Sequence, residues 1–295
     1  MKKLLLLSLV GIMVFSFGTM VFAQGKEAPV TKGLKIRALH TADCLAQWSF
    51  VLTGWNPCKF TCGPISCFLI LGAEKPILVD TGMRDINAFR GPLKGFTTPE
   101  QDLVKLLREE GVAPGDIGTI IHTHLDPDHS GNDSLFPNAK IIIQKKEMVA
   151  KATGFGACPE LPWFTANLRR IEFIDGDVEL FPGIKCVLSI GHSLGHQHVE
   201  VQTDAGKAIL CGDSIYDIPM QLEERIPKMD FLLGNYWDRA GALVQQAKLK
   251  KELQKGTLIL PTHDYLVYDR YKLGKKLSDK WNNYDGFPTL DWPPK

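Results

Sequence analysis

Between Ile120 and Gly131 the chain reads Ile120-Ile121-His122-Thr123-His124-Leu125-Asp126-Pro127-Asp128-His129-Ser130-Gly131, with three imidazoles and two carboxylates behind an apolar run. Such groups are costly to bury without partners, so this loop is either solvated or arranged around a cation. Three further residues stand in comparable places, because Gly191-His192, Gly212-Asp213 and Thr262-His263 each close an apolar run. Imidazole nitrogens and carboxylate oxygens together are a ligand set for zinc, iron or manganese. A polar turn accounts for the first segment alone; convergence at one sheet edge accounts for all four.

The elements that would deliver these residues are short. Apolar runs predict strands at 34–39, 66–71, 76–79, 118–121, 139–144, 171–174, 178–180, 184–190, 198–202, 208–211 and 257–260. Thr98-Pro99 reads as an N-cap followed by proline in the first helical turn, with Leu103, Val104, Leu106 and Leu107 at helical spacing and Gly111 as the stop. Further helices are predicted over 145–153 and 238–253. Strands outnumber helices, and the helices fall between groups of strands. That pattern predicts an α/β fold of sheets layered together and covered by helices, not an alternating doubly wound sheet.

Composition narrows the function. With 34 Lys+Arg against 33 Asp+Glu and 44% hydrophobic residues, the chain is neither disordered nor basic. Its cations form no stripe interleaved with aromatic residues, so no nucleic-acid partner is expected, and Lys248-Leu249-Lys250-Lys251 reads as the solvated face of a helix. Met1-Lys2-Lys3, the apolar stretch Leu4 to Ala23 and its ending Val21-Phe22-Ala23 read as a signal peptide over 1–23. Residues 24–295 are then one domain, exported to the periplasm or beyond, without stable membrane association. The alternative is a retained N-terminal anchor, since the stretch is long enough to span a bilayer. Seven cysteines leave at least one thiol unpaired or bridged to another chain. Cys58, Cys62 and Cys67 lie in WNPCKFTCGPISC, read as a loop with a local disulfide or buried thiols, and lack the paired spacing of a zinc cluster. Cys186 and Cys211 are expected in the core.

The ordered set of motifs resembles the metallo-β-lactamase superfamily, and within it the N-acyl homoserine lactonases, from about Lys35 to His263. Val79-Asp80-Thr81-Gly82 matches the strand and turn that precede the metal loop. His124, Asp128 and His129 match the family loop His-x-His-x-Asp-His, while His192, Asp213 and His263 match the later ligands. The resemblance implies an αββα four-layer sandwich, two divalent metal ions per chain, and opening of a lactone by a metal-activated hydroxide, the quorum-quenching reaction. It implies Asp213 as the bridge between the ions and Tyr216 near the substrate carbonyl. Asp128 would carry the proton to the leaving alkoxide.

One position departs from the pattern. In the register that keeps Asp128-His129-Ser130-Gly131, Asp126 stands where the loop's second histidine belongs. The other register, His122-x-His124-x-Asp126, puts Pro127 at the final histidine. The first implies His124, Asp126 and His192 around one ion, with Asp128, His129 and His263 around the other. Zinc is the family's metal; the extra carboxylate moves preference toward iron or manganese. On this reading Asp126→His is expected to keep or raise activity. Alternatives for the whole chain are a thioester or β-lactam hydrolase on the same metals, or a non-catalytic exported protein whose site Asp126 has spoiled.

The remaining groups have quieter readings. Asp80 is expected to shape its turn and orient a ligand histidine. His122 is expected to pack at the strand end or else to support a ligand from behind, His196 and His198 to be non-ligands, and His40 to be surface or satisfied core. Trp48, Phe50, Trp55, Phe60, Phe155, Trp163 and Phe164 would line an acyl-chain groove or cap the core.

Overall fold

A computed structural model of the chain describes residues 33–52, 60–89, 93–152, 163, 166–223 and 236–278. The expected signal peptide over 1–23 lies outside the described residues, and no described helix is long and apolar enough to cross a membrane. β1 (Lys35–Gln47), β2 (Phe60–Leu71), β3 (Ile77–Val79), β4 (Leu93–Phe96), β5 (Thr119–Ile121), β6 (Lys140–Gln144) and β7 (Ile171–Ile174) form a sheet of order β4-β1-β2-β3-β5-β6-β7. β8 (Val178–Phe181), β9 (Ile184–Leu188), β10 (Gln197–Thr203), β11 (Gly206–Gly212) and β12 (Leu258–Pro261) form the second, of order β12-β11-β10-β9-β8. β3, β5, β6 and β7 run parallel, as do β11 and β12.

Period-two alternation divides each central strand between two cores. Phe68, Ile70, Val79 and Ile121 pack against Val199, Leu210 and Leu260 between the sheets. Cys67, Leu69, Leu78 and Ile120 face outward, against Leu103, Leu106 and Leu107 of the helix Leu103–Glu109. On the other side Ile209, Cys211 and Ile259 meet Leu249 of the helix Arg239–Gln254. The order helix, sheet, sheet, helix is the expected four-layer sandwich. Leu249 is buried while Lys248 and Lys251 are exposed, which makes that basic run the solvated side of its helix.

Local chemistry moves some predicted boundaries. The helix expected from Thr98 is split: Pro99–Gln101 is a single 3-10 turn, and Asp102 caps a new start by accepting from the Lys105 N–H at 2.8 Å. Gln101 is drawn inward at the break, where its amide donates to Asp43 Oδ2 at 3.0 Å. The run expected as a strand to Ile190 ends at Leu188, and the Ser189 N–H donates across to the His196 carbonyl. The segment expected as a Cys-bearing loop is β2 from Phe60 onward, with free thiols at Cys62 and Cys67; Cys58 and Cys158 lie outside the described residues. Cys186 and Cys211 are core thiols.

The carboxyl ends of β3, β5, β11 and β12 meet where the two sheets are stitched by backbone bonds. The Gln197 N–H donates to the Thr123 carbonyl at 2.9 Å, and the Ser66 N–H to the Thr262 carbonyl at 3.1 Å. Gly63 is obligatory there, because a Cβ would fall 2.4 Å from the His263 carbonyl oxygen.

Candidate metal centre

Beyond β5 the chain turns through Thr123 and His124 into one short helical turn, Pro127–Ser130, with Pro127 in its first position. The turn raises Asp128 and His129 together, while Asp126 precedes it in extended conformation. His192 arrives on the β9–β10 connection, Asp213 at the end of β11 and His263 after β12. All seven candidate ligand residues come together.

Their donor atoms form two groups around a shared carboxylate. Asp213 Oδ2 lies 4.0 Å from His124 Nε2 and 3.8 Å from His192 Nε2, and Asp126 Oδ2 lies 3.6 Å from each of those nitrogens. Asp213 Oδ1 lies 3.1 Å from His129 Nε2 and 3.4 Å from His263 Nε2, with Asp128 Oδ2 at 3.9 and 3.6 Å from the same two. Donors bound about 2.1 Å from a tetrahedral ion lie about 3.4 Å from one another, so both groups have the right span. His124 Nε2, His129 Nε2 and Asp213 Oδ1 are buried without a hydrogen-bond partner. Orphaned lone pairs facing one another in a buried site are costly unless a cation satisfies them, and the residues fit a pair of divalent ions.

Neighbours fix which nitrogen His124, His129 and His263 present. Asp80, at the left-handed φ of +58°, accepts from the Thr123 N–H, the Thr123 hydroxyl and His129 Nδ1, all within 2.9 Å. His124 Nδ1 donates to Thr123 Oγ1 at 3.1 Å, and His263 Nδ1 to the Pro64 carbonyl at 2.8 Å. The Nε2 atoms are thereby turned to the centre. Burial alone would raise the Asp213 carboxyl, but the imidazoles of His129 and His263 outweigh it and hold it well below the usual carboxylate range. Burial likewise opposes ionisation of Asp126, which His124, His192 and Lys151 keep well below that range. Asp80→Asn, which removes the anion behind His129, is expected to weaken metal affinity about 10- to 100-fold by chelator competition. Unchanged affinity would remove Asp80 from that role.

The quieter residues differ in outcome. His122 is no simple packing residue: it is fully enclosed, with Nε2 2.9 Å from Asp133 and Nδ1 3.4 Å from Asp80. Burial disfavours its charge, yet those carboxylates raise it to about 9. His196 is not among the donors; its Nε2 accepts from the Asp213 N–H at 3.2 Å while Nδ1 donates to Ser189, so it anchors the shared carboxylate's backbone. His198 bonds the Ser214 hydroxyl at 2.7 Å. His40 is satisfied core, 2.9 Å from Asp43. The Tyr216 hydroxyl donates to Asp213 Oδ2 at 2.6 Å. Trp163 donates to the Ser130 carbonyl and to Asp133 and packs on the core. Trp55, Phe155 and Phe164, and the side chains of Trp48, Phe50 and Phe60, lie outside the described residues. Sequence reasoning missed Glu147 and Lys151, buried one turn apart on the helix Lys145–Ala152, with Lys151 Nζ bonded to Asp126 Oδ1.

Comparison with known proteins agrees with this geometry. Residues 60–263 match the family model of the metallo-beta-lactamase superfamily. An N-acyl homoserine lactonase of Bacillus thuringiensis is 30% identical over a 232-residue alignment that covers 75% of this chain and 89% of that protein. Among solved structures, a B. thuringiensis AiiA variant with N-decanoyl-L-homoserine at its active site superposes with a TM-score of 0.65 at 27% identity, covering 80% of this chain and 95% of the other. An N-acyl homoserine lactone hydrolase with N-hexanoyl-L-homoserine at its catalytic metal centre gives the same score, identity and coverage.

Proposed function

The chain belongs to the metallo-β-lactamase superfamily and is a metal-dependent hydrolase, and from that premise we propose that it opens the ring of a lactone of the N-acyl homoserine lactone type. The observation that carries this reading is the two donor groups, His124 and His192 on one side and Asp128, His129 and His263 on the other, with an oxygen of Asp213 facing the histidines of each and the Tyr216 hydroxyl on that same carboxylate. The lactonase relatives, matched over most of their length, support the choice of a cyclic ester.

Two divalent cations held there supply a water made acidic near neutrality and a polarised carbonyl. The chain's own groups do the rest. His124, Asp126 and His192 would hold one ion and Asp128, His129 and His263 the other, with the Asp213 carboxylate facing both groups. The Tyr216 hydroxyl is placed to swing from Asp213 to the carbonyl oxygen as negative charge develops there. Asp128, at 14% the most accessible donor side chain, takes a proton and returns it to the departing alkoxide. In a lactone that alkoxide stays tethered, so the product is an acyl-amino hydroxy acid. Residues 1–23 support export of the mature chain before it acts.

Elemental analysis beside a panel of lactones, thioesters and a chromogenic β-lactam tests the proposal. Close to two ions per chain and turnover confined to lactones are expected. Preferential turnover of thioester or β-lactam would replace the substrate class, and fewer than two ions would remove the dinuclear site. Tyr216→Phe is expected to keep both ions and lower kcat about 100-fold, the usual cost of one oxyanion donor. An unchanged kcat would confine Tyr216 to packing.

A further inference from the structure

The family loop has a neutral imidazole where this chain has the carboxylate of Asp126. That exchange adds a negative charge and a second donor atom to the site. The helix Lys145–Ala152 answers both changes. Lys151, whose side chain is 1% exposed, bonds Asp126 Oδ1 and leaves only Oδ2 facing His124 and His192. One turn earlier, Glu147 accepts from the Leu125 N–H at 3.0 Å on the metal loop and from the Ser193 hydroxyl and the Gly195 N–H at 3.2 Å beside His192. Gly195 must be glycine, since a Cβ would stand 2.0 Å from the Glu147 nitrogen. A single helix therefore grips the segments that carry His124, Asp126 and His192.

We propose that Lys151 is a positioning residue that makes Asp126 act as a histidine would, the pair together forming one neutral ligand with a single donor atom. The inference rests on the reading that this centre holds two ions. It reverses the expectation for Asp126→His drawn from the family pattern alone. An imidazole in place of Asp126 removes the carboxylate that Lys151 bonds directly and sets its ammonium, with Glu147 Oε1 3.7 Å away, against a neutral ring beside a dication. The substitution that looks like a return to the family pattern is then harmful unless the lysine leaves with the carboxylate.

The test compares the full-length wild type with Asp126→His and Asp126→His/Lys151→Met. Zinc and manganese affinities are measured by chelator competition, and melting temperatures on chelated protein. Asp126→His is expected to bind one of its two ions about 10- to 100-fold more weakly and to melt lower when chelated. The double variant is expected to regain wild-type affinity for both ions and to recover its melting temperature. Failure of Asp126→His to fold, with recovery in the double variant, supports the same conclusion. Wild-type affinity in Asp126→His overturns the proposal, as does a double variant that recovers neither affinity nor folding. Fewer than two ions on the wild type would instead overturn the metal-centre reading beneath it. A merely structural ion pair predicts no affinity change in Asp126→His, because histidine is itself a competent ligand.

Discussion

Replacing Asp213 with alanine is expected to release both ions and to lower kcat/KM by about 1,000-fold or more, the several kcal/mol that metal ions contribute to such a transition state. Among the described residues no other donor serves both groups, since its Oδ1 faces His129 and His263 while its Oδ2 faces His124 and His192. The backbone should hold, because His196 accepts from the residue 213 N–H whatever its side chain. The loss is therefore chemical, and circular dichroism of the variant should match the wild type. Metal content separates this variant from Tyr216→Phe, which keeps its ions, and from Asp80→Asn, which weakens them. Two ions retained at wild-type affinity in Asp213→Ala would show that the triads do not share a carboxylate.

Much of this arrangement was legible because its signals are local. Each ligand-bearing segment follows an apolar run, and a strand that ends in polar residues can be read without knowing its neighbours in the sheet. The four-layer fold follows from the same alternation, as with Phe68 and Ile70 against Cys67 and Leu69. What could not be read was pairing between distant segments. Asp126 and Lys151 are 25 positions apart, and nothing in Lys145–Ala152 marks Lys151 as buried; its neighbours Lys145 and Lys146 look alike in sequence. β4 escaped detection because Leu93-Lys94-Gly95-Phe96 is short and broken by glycine, and it is held by pairing to β1. His196 belongs between these cases: its place in Gly191-His192-Ser193-Leu194-Gly195-His196 was visible, but its bond to the Asp213 backbone required both strands in place.

His122 shows how such a hidden pairing becomes a large energetic term. Of its two sequence readings, packing at the strand end and support behind a ligand, the structure fits the second, because its ring lies between Asp133 and Asp80 with no solvent exposure. Asp133 also accepts from the Thr81 hydroxyl at 2.8 Å and from Trp163, and Asp80 from Thr123 and His129, so the ring sits at the centre of a buried polar network. His122→Leu keeps approximate volume but leaves two enclosed carboxylates without that cation, a change that typically costs about 3–5 kcal/mol. The melting temperature of the variant should fall by roughly 10 °C in metal-loaded and chelated protein alike. Equal losses in both states would place the effect in the fold; a loss seen only with metal bound would mean that His122 acts through the ligands. Replacing Asp133 as well, in His122→Leu/Asp133→Leu, should recover part of the loss, because an apolar pair of fitting shape does not strand a charge. No recovery would mean that Asp133 owes its place to Thr81 and Trp163, and that His122 matters chiefly to Asp80 and through it to the orientation of His129.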